Sequence, residues 1–203
     1  MTDYRLRAAE PRDVPAVVGL ITELAEFERL THLLEVTPER LHPQLFGDQP
    51  AARCQVAELG PETDAPGRIV GFALYFRNFS TFLARPGLYL EDLYVQPAYR
   101  SAGIGKALLL HLAALAVAEG CGRFEWSVLD WNANAIHFYE KMGATVLPDW
   151  RICRVTGDAL ARMGAPHRQT LARNIGHSLC SAAGLGCVLR RLRRICQPPG
   201  DRQ

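Results

Sequence analysis

The sequence predicts an α/β domain built around a mixed sheet, and three observations carry that prediction. Apolar residues recur with helical spacing in some segments and alternate in others. The segments run strand, two helices, three strands, helix, strand, helix, strands, which suits helices packed on the faces of one sheet. A glycine-bearing turn, Arg100-Ser-Ala-Gly-Ile-Gly-Lys106, joins an acidic strand directly to an Ala/Leu-rich helix.

Tyr4-Arg-Leu-Arg-Ala8 alternates as a first strand. Asp13 is placed to cap a helix whose apolar positions Val17, Leu20, Ile21, Leu24 and Phe27 share a face, ending near Arg29. Thr37 followed by Pro38 reads as the cap and first position of a short helix that stops before Gly47. The period then changes. Cys54 to Glu58 and Ile69 to Phe76 are predicted strands, joined by the Pro/Gly-rich turn from Gly60 to Gly67. Gly87 to Val95 makes the next strand, followed by the turn, a helix over Ile104 to Glu119 and a strand over Arg123 to Val128. Asn132 starts a helix reaching Met142 and stopped by Gly143, and 144–147 and 151–155 are predicted terminal strands.

A chain of 203 residues with 48% hydrophobic content is expected to bury the core of one domain carrying an appendage. The net charge of +2 hides an asymmetry. Residues 165–203 hold 7 Lys+Arg against 1 acid, leaving 16 against 20 for residues 1–164, so an acidic body (1–164) carries a basic extension (165–203). No leader pattern follows Met1, and the apolar run from Ala107 to Ala118 is too short to span a bilayer, so a cytoplasmic location is expected. The six cysteines form no Cys-x-x-Cys pair and read as buried hydrophobes or free thiols. A zinc site from His177, Cys180, Cys187 and Cys196 would need irregular spacing, and no metal is expected.

The turn Arg100 to Lys106 leaves backbone N–H groups unpaired at a helix start, where the helix dipole adds positive charge and an anion is the natural occupant. Its spacing fits neither common nucleotide motif. The dinucleotide fingerprint needs a third glycine where Leu108 stands, and the phosphate-loop pattern needs Ser or Thr where Ala107 stands. Upstream, Glu91 and Asp92 are neighbours on a strand, so alternation puts them on opposite faces and at most one reaches any given pocket. Downstream, Asn132 and Tyr139 lie seven residues apart, on one helix face, and both can point into one groove. A tyrosine hydroxyl can donate a proton to a leaving thiolate of similar basicity. Cys121 competes as a covalent nucleophile, but Gly120-Cys-Gly122 places no histidine beside it.

The ordered set Tyr-Leu-Glu-Asp-Leu-Tyr-Val (89–95), Arg-x-x-Gly-Ile-Gly (100–105), Leu-Asp-Trp-Asn (129–132) and Phe-Tyr-Glu-Lys-Met-Gly-Ala (138–144) resembles the GNAT acetyltransferase superfamily. The spermidine/spermine and thialysine N-acetyltransferase branch is the most similar, from about Tyr4 to Met163, including Glu23-Leu-Ala-Glu-Phe-Glu28. The resemblance implies a mostly antiparallel sheet splayed between the strands at 88–96 and 123–128. It implies acetyl-CoA as acetyl donor, with the pyrophosphate on Arg100, Ser101, Ala102, Gly103, Ile104, Gly105 and Lys106. Leu93, Tyr94 and Val95 would hold the pantetheine arm through their backbone, and Asn132 would contact it. Tyr139 would protonate the departing thiolate, while Glu91 would deprotonate the substrate ammonium through a relaying water, by direct transfer in a ternary complex with no metal. A homodimer is also implied.

Glu28 matches an acidic position that receives the cationic amine in that branch, and Asp92 adds negative potential. Polyamine members carry an acidic residue and a tryptophan in the loop before the acidic strand. This chain has Phe79-Ser-Thr-Phe82 there, as thialysine-type members do, so a short diamine or lysine-like amine fits as well as a polyamine. Acetylation of a protein lysine or N-terminus, and an acyl-CoA-binding regulator without turnover, are the alternatives. In the extension, Leu185 to Cys196 carries an apolar stripe beside Arg190, Arg191, Arg193 and Arg194, a basic amphipathic helix candidate. Contact with nucleic acid or anionic lipid would suit its charge. Nothing else in the sequence supports such a partner, and the extension reads as disordered or weakly docking.

Overall fold

Five strands form one sheet in the order β1-β2-β3-β4-β5 in the computed structural model, which describes residues 3–60 and 67–165. They are β1 (Tyr4–Ala8), β2 (Arg53–Leu59), β3 (Ile69–Ser80), β4 (Arg85–Val95) and β5 (Phe124–Trp126). The first four pair antiparallel and β5 joins β4 in parallel, so the sheet is mixed and mostly antiparallel as expected. The chain divides into two units, Met1–Val146 and Leu147–Gln203, and the sheet belongs to the first.

Two apolar clusters cover the sheet faces. On one, α1 (Val14–Glu28) and α2 (Pro38–Phe46) set Val14, Val17, Leu20, Leu41 and Leu45 against Val56, Ile69, Phe72 and Tyr94. On the other, α3 (Ile104–Ala118) sets Ile104, Leu108, Leu109 and Leu112 against Val70, Ala73, Tyr75, Leu88 and Leu90, with Phe138, Tyr139 and Met142 of the following segment packed alongside. Burial of these side chains, at about 1.5–3 kcal/mol each, is the main stabilising term. Thr37 caps α2 as predicted, its hydroxyl accepting from Arg40 N–H. Asn132 caps α4 (Ala133–Lys141), its Oδ1 accepting from Ala135 N–H at 3.2 Å.

Asp13 departs from its expected role. Its side chain makes no cap bond to α1; it accepts instead from Glu10 N–H at 2.7 Å and from the Arg7 guanidinium. Arg7 also donates to Glu58, which is 1% exposed and takes a further bond from Arg5 at 2.6 Å. A buried carboxylate needs such partners, and Arg7 on β1 outcompetes a free helix N-terminus. The Arg7 bond, with help from Arg5, holds the Glu58 carboxyl down at about 2 against the cost of burial. A depressed folded value means stability that is present at neutral pH and lost as acid protonates Glu58, between its ordinary value and about 2. Glu58→Gln is therefore expected to cost about 3 kcal/mol at pH 7, measured by urea unfolding, with the deficit shrinking toward pH 2.

Two predicted strands are absent. Residues 144–147 and 151–155 form no strand among the described residues, because a strand exists only by pairing and alternation supplies no partner. The strand expected over Arg123 to Val128 is confined to Phe124–Trp126. Described residues of the second unit include the helix α5 (Gly157–Gly164), which the sequence reading did not anticipate. The predicted helix over 185–196 and the His177/Cys180/Cys187/Cys196 set lie outside the described residues, as does most of the turn between Gly60 and Gly67. Cys54, Cys121 and Cys153 are free thiols.

Candidate active site

β4 and β5 pair at only three positions, Leu88–Phe124, Tyr89–Glu125 and Leu90–Trp126. Beyond Leu90 the edge of β4 facing β5 has no ladder partner among the described residues. Gln96 N–H donates to Val70 O at 2.9 Å, toward β3, and backbone groups alternate along a strand. Val95 and Leu93 therefore direct their N–H and C=O groups into the gap. Tyr94 turns its backbone to β3, so only two of the three expected backbone positions open on the gap.

A register shift against β3 falls in the same stretch: Tyr75 faces Leu90, the next pair is Leu74 with Asp92, and Glu91 is the extra residue. The bulge resets the alternation. Leu88, Leu90, Leu93 and Val95 all pack toward the α3 face, whereas Asp92 pairs with Leu74 and Tyr94 packs toward α1. Unbroken alternation, on which the expected opposite facing of Glu91 and Asp92 rests, therefore does not hold across this stretch. Glu91 is exposed and Asp92 half-buried.

After β4 the turn bends through Ser101 (φ 67°) and Gly103 (φ 83°), both left-handed. Such a conformation is free for glycine and costs serine about 1 kcal/mol. Gly103 is the N-cap of α3 and supplies no side-chain bond, so the first N–H groups of α3 face outward with the positive end of its dipole. Arg100, though exposed, folds its side chain back over β4 and α1. Its Nε donates to Val95 O at 3.0 Å, and its guanidinium lies over the rings of Phe27 and Tyr94, 5.3 and 5.4 Å from their centroids.

The C-terminal turn of α1 closes the other side. Phe27 meets Trp131 with ring centroids 5.8 Å apart, which joins α1 to the loop that enters α4. Both rings remain open, at 43% and 58% exposure. Burial pushes the Asp92 carboxyl up to about 6, aided by the charges of Glu91 and Glu28. Burial also raises Glu28. Tyr139 packs against Trp126 at 5.0 Å and Phe138 at 5.3 Å, and burial followed by the Glu28 charge raises its hydroxyl. The Glu28 charge is thus felt at both Asp92 on β4 and Tyr139 on α4. Asn132 stands at the start of the helix that carries Tyr139.

Other reactive groups are occupied elsewhere. Burial pushes the Cys54 thiol up to about 12, so it is inert. Cys121 packs into the α3 cluster. A cavity of about 490 Å³ is lined by Arg7, Asp13, Glu58, Glu23, Arg68 and Gln96, but its buried Asp13 and Glu58 are already paired with Arg7. Gln96 was not named from the sequence, and Glu23, Phe27 and Trp131 entered there only as motif or helix-face positions, without a role in the site. Their partners lie far along the chain, so no local pattern reveals these contacts.

An acidic bulge, a strand gap lined by backbone donors and an uncapped helix start can together hold an anionic thioester beside an amine. Residues 20–144 match the model of the acetyltransferase (GNAT) family. The chain belongs to the GNAT family. Relatives of high similarity include L-ornithine N5-acetyltransferase of Arabidopsis thaliana, 40% identical over 77% of this chain and 86% of the relative. Thialysine N-epsilon-acetyltransferase of Mus musculus is 38% identical over 80% of this chain and 98% of the relative. Among solved structures, an integron cassette protein from the mobile metagenome of V. cholerae aligns with a TM-score of 0.66 at 22% identity, over 81% of this chain and 99% of its own, which supports the fold alone. This GNAT protein is an acetyltransferase that acts on amines, and enzymes of its family take the acetyl group from acetyl-CoA. Among the described residues no helix is long and apolar enough to cross a membrane.

Proposed function

We propose that this GNAT enzyme transfers the acetyl group of acetyl-CoA to a primary amine of a small diamine or of an ornithine- or lysine-like amino acid, by direct attack in a ternary complex. The bulge at Glu91 carries this reading, because it turns Asp92 toward α1, where Glu28 and Asp92 present two carboxyls beside the gap. Two carboxyls suit a substrate with two cationic groups a short distance apart. The relatives named for ornithine and thialysine agree with that size.

The donor would lie along β4, with Leu93 and Val95 offering backbone groups to its arm and the turn Arg100 to Lys106 taking its pyrophosphate on the N–H groups of α3. Asn132 commits Oδ1 to its cap, so Nδ2 is the donor left for the arm. A free amine arrives as an ammonium and must first lose a proton. Asp92, pushed up to about 6, is the carboxyl matched to accept it near neutral pH, directly or through water. The exposed Glu91 adds charge beside it and is the secondary acceptor. As the amine nitrogen forms its bond to the carbonyl carbon, the C–S bond breaks and Tyr139 gives its proton to the leaving sulfur. The nitrogen's second proton restores the phenol. The net products are an amide, the free thiol and one proton. We extend the proposal to a homodimer, which light scattering would check.

Release of free CoA with putrescine, spermidine, spermine, ornithine, thialysine and lysine tests the reading. Turnover with a short diamine or an ornithine- or lysine-like amine is expected to exceed that with spermine by at least about 10-fold in kcat/KM, the range that mismatched charge spacing commands. A preference for spermine would overturn the substrate class. Binding of acetyl-CoA without turnover on any amine would leave a regulator in place of an enzyme.

A further inference from the structure

We infer that Glu23 is a positioning residue for the acetyl donor, acting through β4 rather than by touching substrate; this rests on the proposed donor site along Leu93 to Val95. Glu23 lies on α1, five residues before Glu28. One carboxylate oxygen accepts the Tyr94 hydroxyl at 3.1 Å, and the other accepts Gln96 Nε2 at 2.7 Å. These partners stand 71 and 73 residues away in sequence and flank Val95 on both sides. Glu23 therefore holds the two residues whose own backbones face β3 and fixes, between them, the one whose N–H faces the gap.

The clamp continues outward in both directions. The Tyr94 ring, held by its hydroxyl, is one of the two aromatic faces under the Arg100 guanidinium, whose Nε bonds Val95 O. The Gln96 amide oxygen accepts Arg68 Nη2 at 3.2 Å, and the Arg68 guanidinium lies 5.8 Å from the centroid of the Tyr99 ring, one residue before Arg100. Residues on both ends of the donor's backbone seat are thus tied to a single carboxylate. A charged acceptor serving two neutral donors makes stronger bonds than a neutral one, and a carboxylate has lone pairs for both. The arrangement has a mechanical consequence: β4 beyond Leu90 has no β5 partner to hold it, and α1 supplies through Glu23 the restraint that a neighbouring strand would otherwise give.

Loss of the clamp should loosen the seat for the donor and leave the amine site and the proton groups in place. Acetyl-CoA binding by calorimetry, with KM for each substrate, separates these. Wild-type protein is measured first, and failure of the wild type to bind acetyl-CoA would overturn both this inference and the donor site. With wild-type binding established, Glu23→Ala is expected to weaken acetyl-CoA about 10-fold, as loss of two charge-assisted bonds implies, with the amine KM changed less than about 2-fold. Tyr94→Phe keeps the ring under Arg100, removes one arm, and should weaken acetyl-CoA about 3-fold. The Glu23→Ala/Tyr94→Phe double variant should be no weaker than Glu23→Ala alone, because both act through one bond network. Unchanged acetyl-CoA affinity in Glu23→Ala, additive losses in the double variant, or an equal rise in the amine KM would each overturn the inference and leave the donor site standing. Should Glu23→Ala fail to fold, Tyr94→Phe decides alone, and a wild-type affinity in it overturns the inference.

Discussion

Tyr139→Phe is expected to lower kcat by about 10²- to 10⁴-fold, the range for loss of a positioned general acid, with acetyl-CoA affinity nearly unchanged. Burial and the nearby Glu28 charge both raise the Tyr139 hydroxyl, so the phenol is held protonated at neutral pH and has a proton to give. Phenylalanine keeps the ring that packs against Trp126 and Phe138, which confines the change to the missing hydroxyl. A kcat effect without a KM effect is the signature of an interaction made only in the transition state. Steady-state kinetics with saturating amine would check it, and an unchanged kcat would remove Tyr139 from the chemistry.

Asp92→Asn is expected to act in opposite directions on rate and stability. The rate should fall about 10²- to 10⁴-fold, and the acid limb of the kcat/KM profile near pH 6 should vanish. The wild-type rate rises with pH through that limb because Asp92 accepts a proton only when ionised. For stability the sign reverses. A folded value raised from 3.8 to about 6 means that the ionised side chain disfavours folding, a cost absent below the unfolded value and complete above the folded one. Asparagine removes that cost, so the variant should be more stable at pH 7 by about 1–2 kcal/mol, read from thermal or urea unfolding. Glu91→Gln, at an exposed position, should lower the rate less than Asp92→Asn does. A larger loss in Glu91→Gln would return the base to Glu91.

Much of the site was legible before the fold was known. The turn Arg100 to Lys106, the cap Asn132 and the tyrosine two turns later are local patterns, and their spacing reports which groups share a turn or a helix face. The carboxyl pair was legible as a pair but not in its orientation. Alternation assumes an unbroken ladder, and the bulge between Leu90 and Asp92 depends on how β4 pairs with β3. Asp13 was misread for a related reason. Its position satisfies the local rule for a cap, while Arg7 on β1, which also donates to Glu58 on β2, takes its carboxylate. The terminal strands failed because alternating residues form a strand only where an edge receives them.

The sequence by itself determined the class of fold and the family, and it marked the glycine turn, the cap and the tyrosine as candidate site groups, because these reside in composition, period and short spacing. Only the tertiary structure decided which carboxyl is half-buried, how far β4 and β5 stay paired, and that Glu23 reaches Tyr94 and Gln96 across more than seventy residues. Burial, ladder register and long-range hydrogen bonds depend on which elements meet, and no single segment carries that information. A carboxylate's proton affinity follows its surroundings, so the Asp92 carboxyl is pushed up to about 6 only once the elements around it have folded together.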